Sequence, residues 1–193
     1  MAKRILVILG QPDAKSYGGA LAAAYAEGAR ANGAEVREVR LGEIAFDPAP
    51  RPGSLKPGEL EPDLARAQAA IKWAEHLVFV YPIWWGTIPA LLKGFIERVF
   101  TPGFAVNFHQ DSALWDKLLA GRSARLIVTL NTPSLIYRWV YGQPGHTTMK
   151  RSILKFCGIK PVRITEVGPI KNSTEAKRAQ WLQQVRTLGS RCI

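Results

Sequence analysis

The 193-residue sequence has few cysteines, no long apolar run and, over one large region, almost no acidic residues. Its two cysteines, Cys157 and Cys192, are too few for a disulfide framework or a zinc site. No window approaches the ~18 consecutive apolar residues of a membrane-spanning helix. The apolar run that ends at Gly10 is too short for a secretory signal. These absences favour a reduced, cytoplasmic protein, and the length suits one domain over residues 1–193.

The charge is distributed very unevenly. Residues 1–116 carry 12 basic and 13 acidic side chains, whereas residues 117–193 carry 14 basic and 2 acidic side chains. Such an excess indicates an anionic partner, which the charge alone leaves open between nucleic acid, a phosphorylated cofactor and a membrane surface. It is equally typical of a well-solvated face. Because the chain has no recognition-helix or RNA-binding motif, we expect no nucleic-acid partner.

Short branched-chain segments alternate with helical segments along the chain. We predict strands at 4–10, 35–41, 77–81, 124–130 and 162–167, and helices at 20–31, 63–75, 89–100, 147–156 and 175–188. Alternation of this kind predicts an α/β fold with a five-stranded parallel sheet and helices on both faces. Right-handed crossovers leave few topologies, and we expect the doubly wound, flavodoxin-like order 2-1-3-4-5. Long connections remain: a proline-rich loop at 47–61, an irregular segment at 101–121 and a loop at 131–145.

Ligands of doubly wound sheets bind at the carboxyl ends of the strands, where the strand order reverses. The loops at 11–19, 82–87 and 131–145 should therefore meet. The first of them precedes a helix N-terminus, whose free N–H groups favour a phosphate. Ser16 in this loop either helps to bind that phosphate or simply caps the helix. The loop matches neither of the common nucleotide-binding glycine motifs.

The loop at 82–87 carries two adjacent tryptophans, Trp84 and Trp85, directly after a buried strand. Aromatic rings at a pocket mouth suit a planar ligand such as an isoalloxazine ring or a quinone. Gly86 leaves a backbone N–H open to such a ligand. The alternative is that the two rings fill a core or a subunit contact.

Residues 81–100 read Tyr-Pro-Ile-Trp-Trp-Gly-Thr-Ile-Pro-Ala-Leu-Leu-Lys-Gly-Phe-Ile-Glu-Arg-Val-Phe. This segment resembles the signature of the NAD(P)H:quinone oxidoreductase (DT-diaphorase-like) family of the flavodoxin-like fold. Weaker similarity at 5–12, 46–48, 101–105 and 156–158 extends the resemblance over nearly the whole chain. The resemblance implies a flavoprotein that takes a hydride from NADH or NADPH and passes two electrons to a quinone with ping-pong kinetics. It also implies a homodimer with the flavin at the subunit interface.

The resemblance also implies roles for individual residues. The flavin phosphate would be held by Ser16, Tyr17 and Gly18, and Gln11 stands where many members have His. The isoalloxazine ring would be lined by Pro82, Ile83, Trp84, Trp85 and Gly86. Asn131 and Thr132 would also reach the flavin, although residues 129–134 read Thr-Leu-Asn-Thr-Pro-Ser where many members have Thr-Thr-Gly-Gly.

Two candidates for catalysis, Tyr141 and His146, would lie near the pyrimidine edge of the flavin. The alternatives are that His146 caps a helix and that Tyr137 and Tyr141 are ordinary surface aromatics. Arg138, Lys150 and Arg151 are candidates to attract the phosphate of the nicotinamide nucleotide. We expect no metal.

We expect the flavin to be FMN, with FAD as the alternative, because no further domain follows the last helix. An alternative function is that of a regulatory subunit of a membrane transporter, with weak or no catalysis. The basic half of such a subunit would make peripheral contact with anionic lipid.

Overall fold

The computed structural model describes residues 2–49 and 59–192, so residues 50–58 of the predicted proline-rich loop lie outside the described residues. Strands β1 to β7 are Arg4–Leu9, Glu35–Arg40, His76–Pro82, Val106–Phe108, Trp115–Lys117, Ser123–Thr129 and Val162–Val167. Helices α1 to α6 are Tyr17–Ala31, Pro62–Trp73, Ala90–Val99, Ser134–Trp139, Pro144–Thr147 and Glu175–Ser190. A π-helix, Thr148–Lys155, follows α5 directly.

The main sheet has five parallel strands in the order β2-β1-β3-β6-β7. Numbered among themselves, these strands follow the order 2-1-3-4-5, so the predicted flavodoxin-like fold is confirmed. Leu9 at the end of β1 lies opposite Val80 of β3, and Pro82 at the end of β3 lies opposite Thr129 of β6. Their carboxyl ends therefore form one continuous edge, from which the predicted site loops emerge.

Both faces of the sheet are buried, which explains the uninterrupted apolar run of β1. Leu6 and Ile8 point into a core shared with α2 and α3, whereas Ile5 and Val7 point into a core shared with α1 and α6. The second core is closed by a tight helix crossing. A Cβ on Gly28 of α1 would lie 2.0 Å from the carbonyl oxygen of Arg186, so glycine lets the two backbones touch.

The structure differs from the sequence predictions mainly in the long connections. The segment at 101–121, predicted to be irregular, contains the antiparallel hairpin β4–β5, and its Trp115 stacks on Phe156 at 4.4 Å. The loop predicted at 131–145 contains α4 and the start of α5, and most of the helix predicted at 147–156 is a π-helix. Within the described ranges, no helix is both long and apolar enough to cross a membrane.

Candidate functional site

A cleft of about 310 Å³ opens at the carboxyl edge of the sheet. Its walls include Pro82, Ile83, Trp84, Asn131, Ile170 and Lys171. The loops after β3 and β6 are joined here because the Ile83 N–H donates to the carbonyl of Thr129 at 2.7 Å. The predicted loops at 82–87 and 131–145 therefore meet, and the loop after β7 adds a third wall that the sequence prediction missed.

The tight turn from Trp84 to Thr87, here called the aromatic turn, forms one lip of the cleft. Trp84 and Thr87 exchange two backbone hydrogen bonds of 3.0 Å, and the two central residues have positive φ, 50° at Trp85 and 80° at Gly86. Positive φ at both positions is typical of a type I′ turn, in which glycine suits the second position but tryptophan is strained at the first. The Trp85 side chain is fully exposed and that of Trp84 is about half exposed. The Trp85 ring therefore fills no core in this chain.

The aromatic turn also presents unused hydrogen-bond donors. Among the described residues, the backbone N–H groups of Trp85 and Gly86 donate to no protein acceptor. Two adjacent donors next to an exposed indole can bind a planar ring that carries oxygen or nitrogen acceptors on its edge. These residues fit the edge and face of an isoalloxazine ring.

The loop after β1 is ordered around the cap of α1. The Ser16 hydroxyl accepts from the Gly19 N–H at 3.2 Å and donates to the Asp13 carbonyl at 2.7 Å. The buried Gln11 amide donates to the same Ser16 oxygen and to the same Asp13 carbonyl. Ser16 therefore caps the helix through Gly19, while the N–H groups of Tyr17 and Gly18 have no acceptor among the described residues. A phosphate at this end would meet these N–H groups and the positive end of the helix dipole.

The other predicted phosphate contacts are less direct. Tyr17 turns its hydroxyl towards α6 and donates to the Arg178 carbonyl at 2.8 Å, so its backbone N–H is the part that faces the helix end. A Cβ on Gly18 would lie 3.1 Å from the Gln11 side-chain oxygen, which explains the small residue. Ser16 lines a separate cavity of about 290 Å³ beside Glu38, and not the cleft described above.

The two predicted catalytic residues, Tyr141 and His146, differ sharply in burial. His146 is buried, and its Nε2 lies 2.8 Å from a carboxylate oxygen of Glu166 on β7, so its side chain does not cap the helix. Its Nδ1 is buried and has no hydrogen-bond partner within the described part of the chain. Tyr141, in contrast, is exposed just beyond α4. The interpretation of Tyr137 as a surface aromatic is wrong, because its side chain is 1% exposed and packs edge-on against His146.

The remaining predicted residues lie along the loop after β6. Asn131 accepts from the Lys171 backbone N–H at 2.9 Å, which ties the loops after β6 and β7 together, and Thr132 is half-buried beside it. The Arg138 guanidinium lies over the Trp139 ring at 5.2 Å. On the π-helix, Lys150 is half-buried and Arg151 is exposed.

Sequence reasoning missed Tyr137 and Lys171 as site residues. Lys171 follows β7, whose carboxyl end lies at the same sheet edge, so strand topology alone could have identified Lys171 as a site residue. Tyr137 had no such signal, because its contacts with the aromatic turn arise only in the folded chain.

The model of the flavodoxin-like fold matches residues 3–188 of this sequence. The chain belongs to the flavodoxin-like fold family. Smu.1420 from Streptococcus mutans has a similar structure, with a TM-score of 0.81, 31% identity and coverage of 97% of this chain and 98% of that one. This similarity extends over the whole sheet and its helices.

The curated relatives of this flavodoxin-like protein confirm the resemblance to NAD(P)H:quinone oxidoreductases. NAD(P)H dehydrogenase [quinone] 1 from Rattus norvegicus is 27% identical over 206 residues, which cover 94% of this chain and 74% of the rat protein. Ribosyldihydronicotinamide dehydrogenase [quinone] from Homo sapiens is 30% identical over 145 residues, which cover 70% of this chain. The match spans 61% of the human protein's length.

Proposed function

We propose that this protein is a flavin-dependent NAD(P)H oxidoreductase that transfers two electrons to quinones or similar aromatic acceptors. The observation that carries the proposal is the aromatic turn, which combines a strained, exposed Trp85 with two backbone N–H groups that have no described protein partner. A flavin held by these residues would supply the hydride-transfer redox chemistry. The chain supplies binding, orientation and electrostatics.

Each wall of the cleft has a distinct task in this proposal. One edge and one face of the isoalloxazine ring would be held by Trp84, Trp85 and Gly86, with Pro82 and Ile83 behind them. The N–H groups of Trp85 and Gly86 stabilise negative charge that develops on the reduced ring, because fixed donors need no reorganisation when charge appears. Asn131 lines another wall of the cleft, and we propose that Thr132, which follows it, also reaches the flavin.

The phosphate of the flavin would bind at the N-terminus of α1. The phosphate would be held by Ser16, which already caps the helix, and by the backbone of Tyr17 and Gly18. The Gln11 amide donates to the Ser16 hydroxyl oxygen and so holds that side chain in place. Of the two common flavins we propose FMN, whose one phosphate group matches this loop-to-helix junction. The identity of the flavin released on denaturation tests the choice against FAD.

We propose ping-pong kinetics for this site. A volume of about 310 Å³ is at the lower end for a ligand pocket, so an isoalloxazine ring would take up most of the cleft. Nicotinamide and quinone would then stack in turn on the same open face of that ring. Parallel double-reciprocal lines for NADPH at several quinone concentrations are expected, whereas intersecting lines would show that both bind together.

Basic residues on α4 and on the π-helix would select the phosphorylated nucleotide. Arg138 lies on α4 next to the aromatic turn, and Lys150 and Arg151 follow on the π-helix. A phosphate held by such cations loses affinity as salt screens the attraction. We expect the KM for NADPH to rise more steeply with salt than the KM for NADH, and equal slopes would count against a phosphate site.

A homodimer would cover the exposed apolar surface beside the turn. This surface, the α4 patch, consists of Leu135, Ile136, Trp139, Val140 and Tyr141. It adjoins the aromatic turn directly, because Tyr137 of the same helix bonds to Gly86. Contiguous exposed apolar patches mark interaction sites, and a second copy of the chain is the partner that we propose.

The dimer can be tested separately from catalysis. Sedimentation equilibrium should give a dimer for the natural chain and a monomer for Trp139→Glu. Leu114→Glu introduces the same charge at another exposed apolar side chain, in the 101–121 segment, and should leave the dimer intact. A monomeric natural chain would refute the interface.

The activity has a direct test. NADPH oxidation by the purified protein should require an added quinone, and Trp85→Ala should weaken flavin or quinone binding. NADPH oxidation that does not depend on a quinone would contradict the proposed acceptor. An unchanged dissociation constant and turnover in Trp85→Ala would place Trp85 outside the site. A transporter subunit would show no quinone-dependent oxidation. The buried, unpaired Cys157 and Cys192 agree with the reducing cytoplasm that we propose as its location.

A further inference from the structure

A buried tyrosine lies directly behind the aromatic turn. Tyr137 is the one residue of α4 whose side chain turns fully inward, while its neighbours Ile136 and Arg138 are exposed. Its hydroxyl donates to the Gly86 carbonyl at 2.9 Å and accepts from the Gly145 N–H at 3.0 Å. Gly145 also donates to the Gly86 carbonyl at 3.3 Å. Tyr137, Gly86 and Gly145, here called the tyrosine clamp, thus join three separate segments.

The clamp holds a peptide unit that determines the shape of the aromatic turn. In the unit between Gly86 and Thr87, the carbonyl is bound by Tyr137 and the N–H donates to the Trp84 carbonyl. The unit cannot rotate without breaking these bonds. The N–H groups of Gly86 and Trp85, one and two peptide units earlier, are thereby kept out of internal hydrogen bonds in a backbone that tryptophan adopts only under strain.

We infer that Tyr137 is a positioning residue for the flavin: by fixing the Gly86 carbonyl, it holds the donors and the indole of the aromatic turn in their binding geometry. This inference rests on the proposed function. Its physical basis is preorganisation, since a turn that is already in its bound shape loses less conformational freedom when the ligand arrives. Because Tyr137 is buried, it would act on the flavin only through Gly86.

The surroundings of Tyr137 keep its hydroxyl a hydrogen-bond donor. Burial, supported by the nearby Glu166 carboxylate, raises the pKa of Tyr137, and the backbone N–H groups of Gly145 and His146 offset only part of this rise. The phenol therefore remains protonated at neutral pH. The His146 ring packs edge-on against Tyr137 at 5.1 Å, and its bond to Glu166 ties that packing to β7.

Glycine at position 145 completes the clamp. A Cβ there would lie 2.9 Å from the Tyr137 hydroxyl and 2.8 Å from the Ile83 side chain. Its φ is not positive, so alanine suits the backbone and would act only by steric contact. The two sides of the clamp can therefore be disturbed independently, one by removing the hydroxyl and the other by displacing it.

The first experiment measures FMN affinity of the flavin-free protein by fluorescence titration. Tyr137→Phe should raise the Kd for FMN about tenfold, which corresponds to about 1.4 kcal/mol. Tyr81→Phe is the matched control, since it removes the hydroxyl of an equally buried tyrosine that has no hydrogen-bond partner among the described residues. The Kd of the control should match that of the natural chain. Equal Kd values for all three proteins would overturn the inference.

Further readouts separate positioning from general stability. Gly145→Ala should raise the Kd in the same direction as Tyr137→Phe, and both should change the visible circular dichroism of bound FMN, which a purely structural role would leave unaltered. In the flavin-free protein, Tyr137→Phe should speed amide exchange at Gly145 and Thr87. Unchanged exchange at these amides refutes the clamp whatever the cofactor. Failure of the natural chain to bind any flavin refutes the proposed function instead.

Discussion

Replacing Trp85 by asparagine should stabilise the flavin-free chain while impairing its site. Trp85 has φ of 50° and a fully exposed side chain, so the folded monomer gains little packing from the ring. The left-handed backbone costs an L-residue about 1–2 kcal/mol, and asparagine tolerates it best apart from glycine. We expect Trp85→Asn to raise the free energy of unfolding by about 1 kcal/mol in urea titrations.

The matched control is Trp85→Ala, which removes the same ring but keeps the backbone cost. Its unfolding free energy should equal that of the natural chain within about 0.5 kcal/mol, as is usual for exposed positions. Both variants should bind FMN about tenfold more weakly, because both lose the indole face. The reasoning is refuted if asparagine is no more stabilising than alanine. Urea titrations at several protein concentrations will show whether a dimer contact of Trp85 contributes.

Two predictions concern the pH dependence and the stability of the scaffold. Burial, with Lys3 and two arginines nearby, lowers the pKa of His76 from 6.5 to about 3. Below pH 6.5, His76 therefore binds a proton in the unfolded chain but not in the folded chain. The free energy of unfolding should fall by roughly 1.4 kcal/mol per pH unit as the pH is lowered in this range. Calorimetry should find this slope absent in His76→Gln. The Arg98 guanidinium, bonded to both carboxylate oxygens of Glu61, lowers the pKa of that residue. Arg98→Ala should lower the free energy of unfolding by about 3 kcal/mol in urea titrations at pH 7. It should also weaken the loss of stability that begins below pH 4.5, where Glu61 becomes protonated in the unfolded chain. An unchanged dependence of stability on pH would refute the pairing.

The central strands β1, β3 and β6 of the main sheet could be predicted because they are buried on both faces and read as apolar runs. The edge strand β7 also occupies the predicted residues 162–167, although its middle is only partly buried. The hairpin β4–β5 could not be found in this way, since three-residue strands are too short to show a period. Likewise, α4 has only six residues, four of which are hydrophobic, so its pattern could not be separated from that of a loop.

The candidate site was predictable where it adjoins strand ends. Topology brings the loops after β1, β3 and β6 to one edge, and the aromatic turn lies at this edge. The strain at Trp85 could not be predicted, because it depends on the backbone angles of the folded turn. Tyr137 and Gly86 are 51 residues apart, and their contact follows from the docking of α4, for which the sequence carries no local signal.

The most direct measurement of the central claim is the visible absorbance of the purified protein, followed by identification of the flavin released on denaturation. We expect a yellow protein, or a colourless one that becomes yellow on reconstitution, with FMN released in stoichiometric amount. The same preparation should oxidise NADPH when a quinone is added. A protein that stays colourless after incubation with FMN and with FAD would contradict the account.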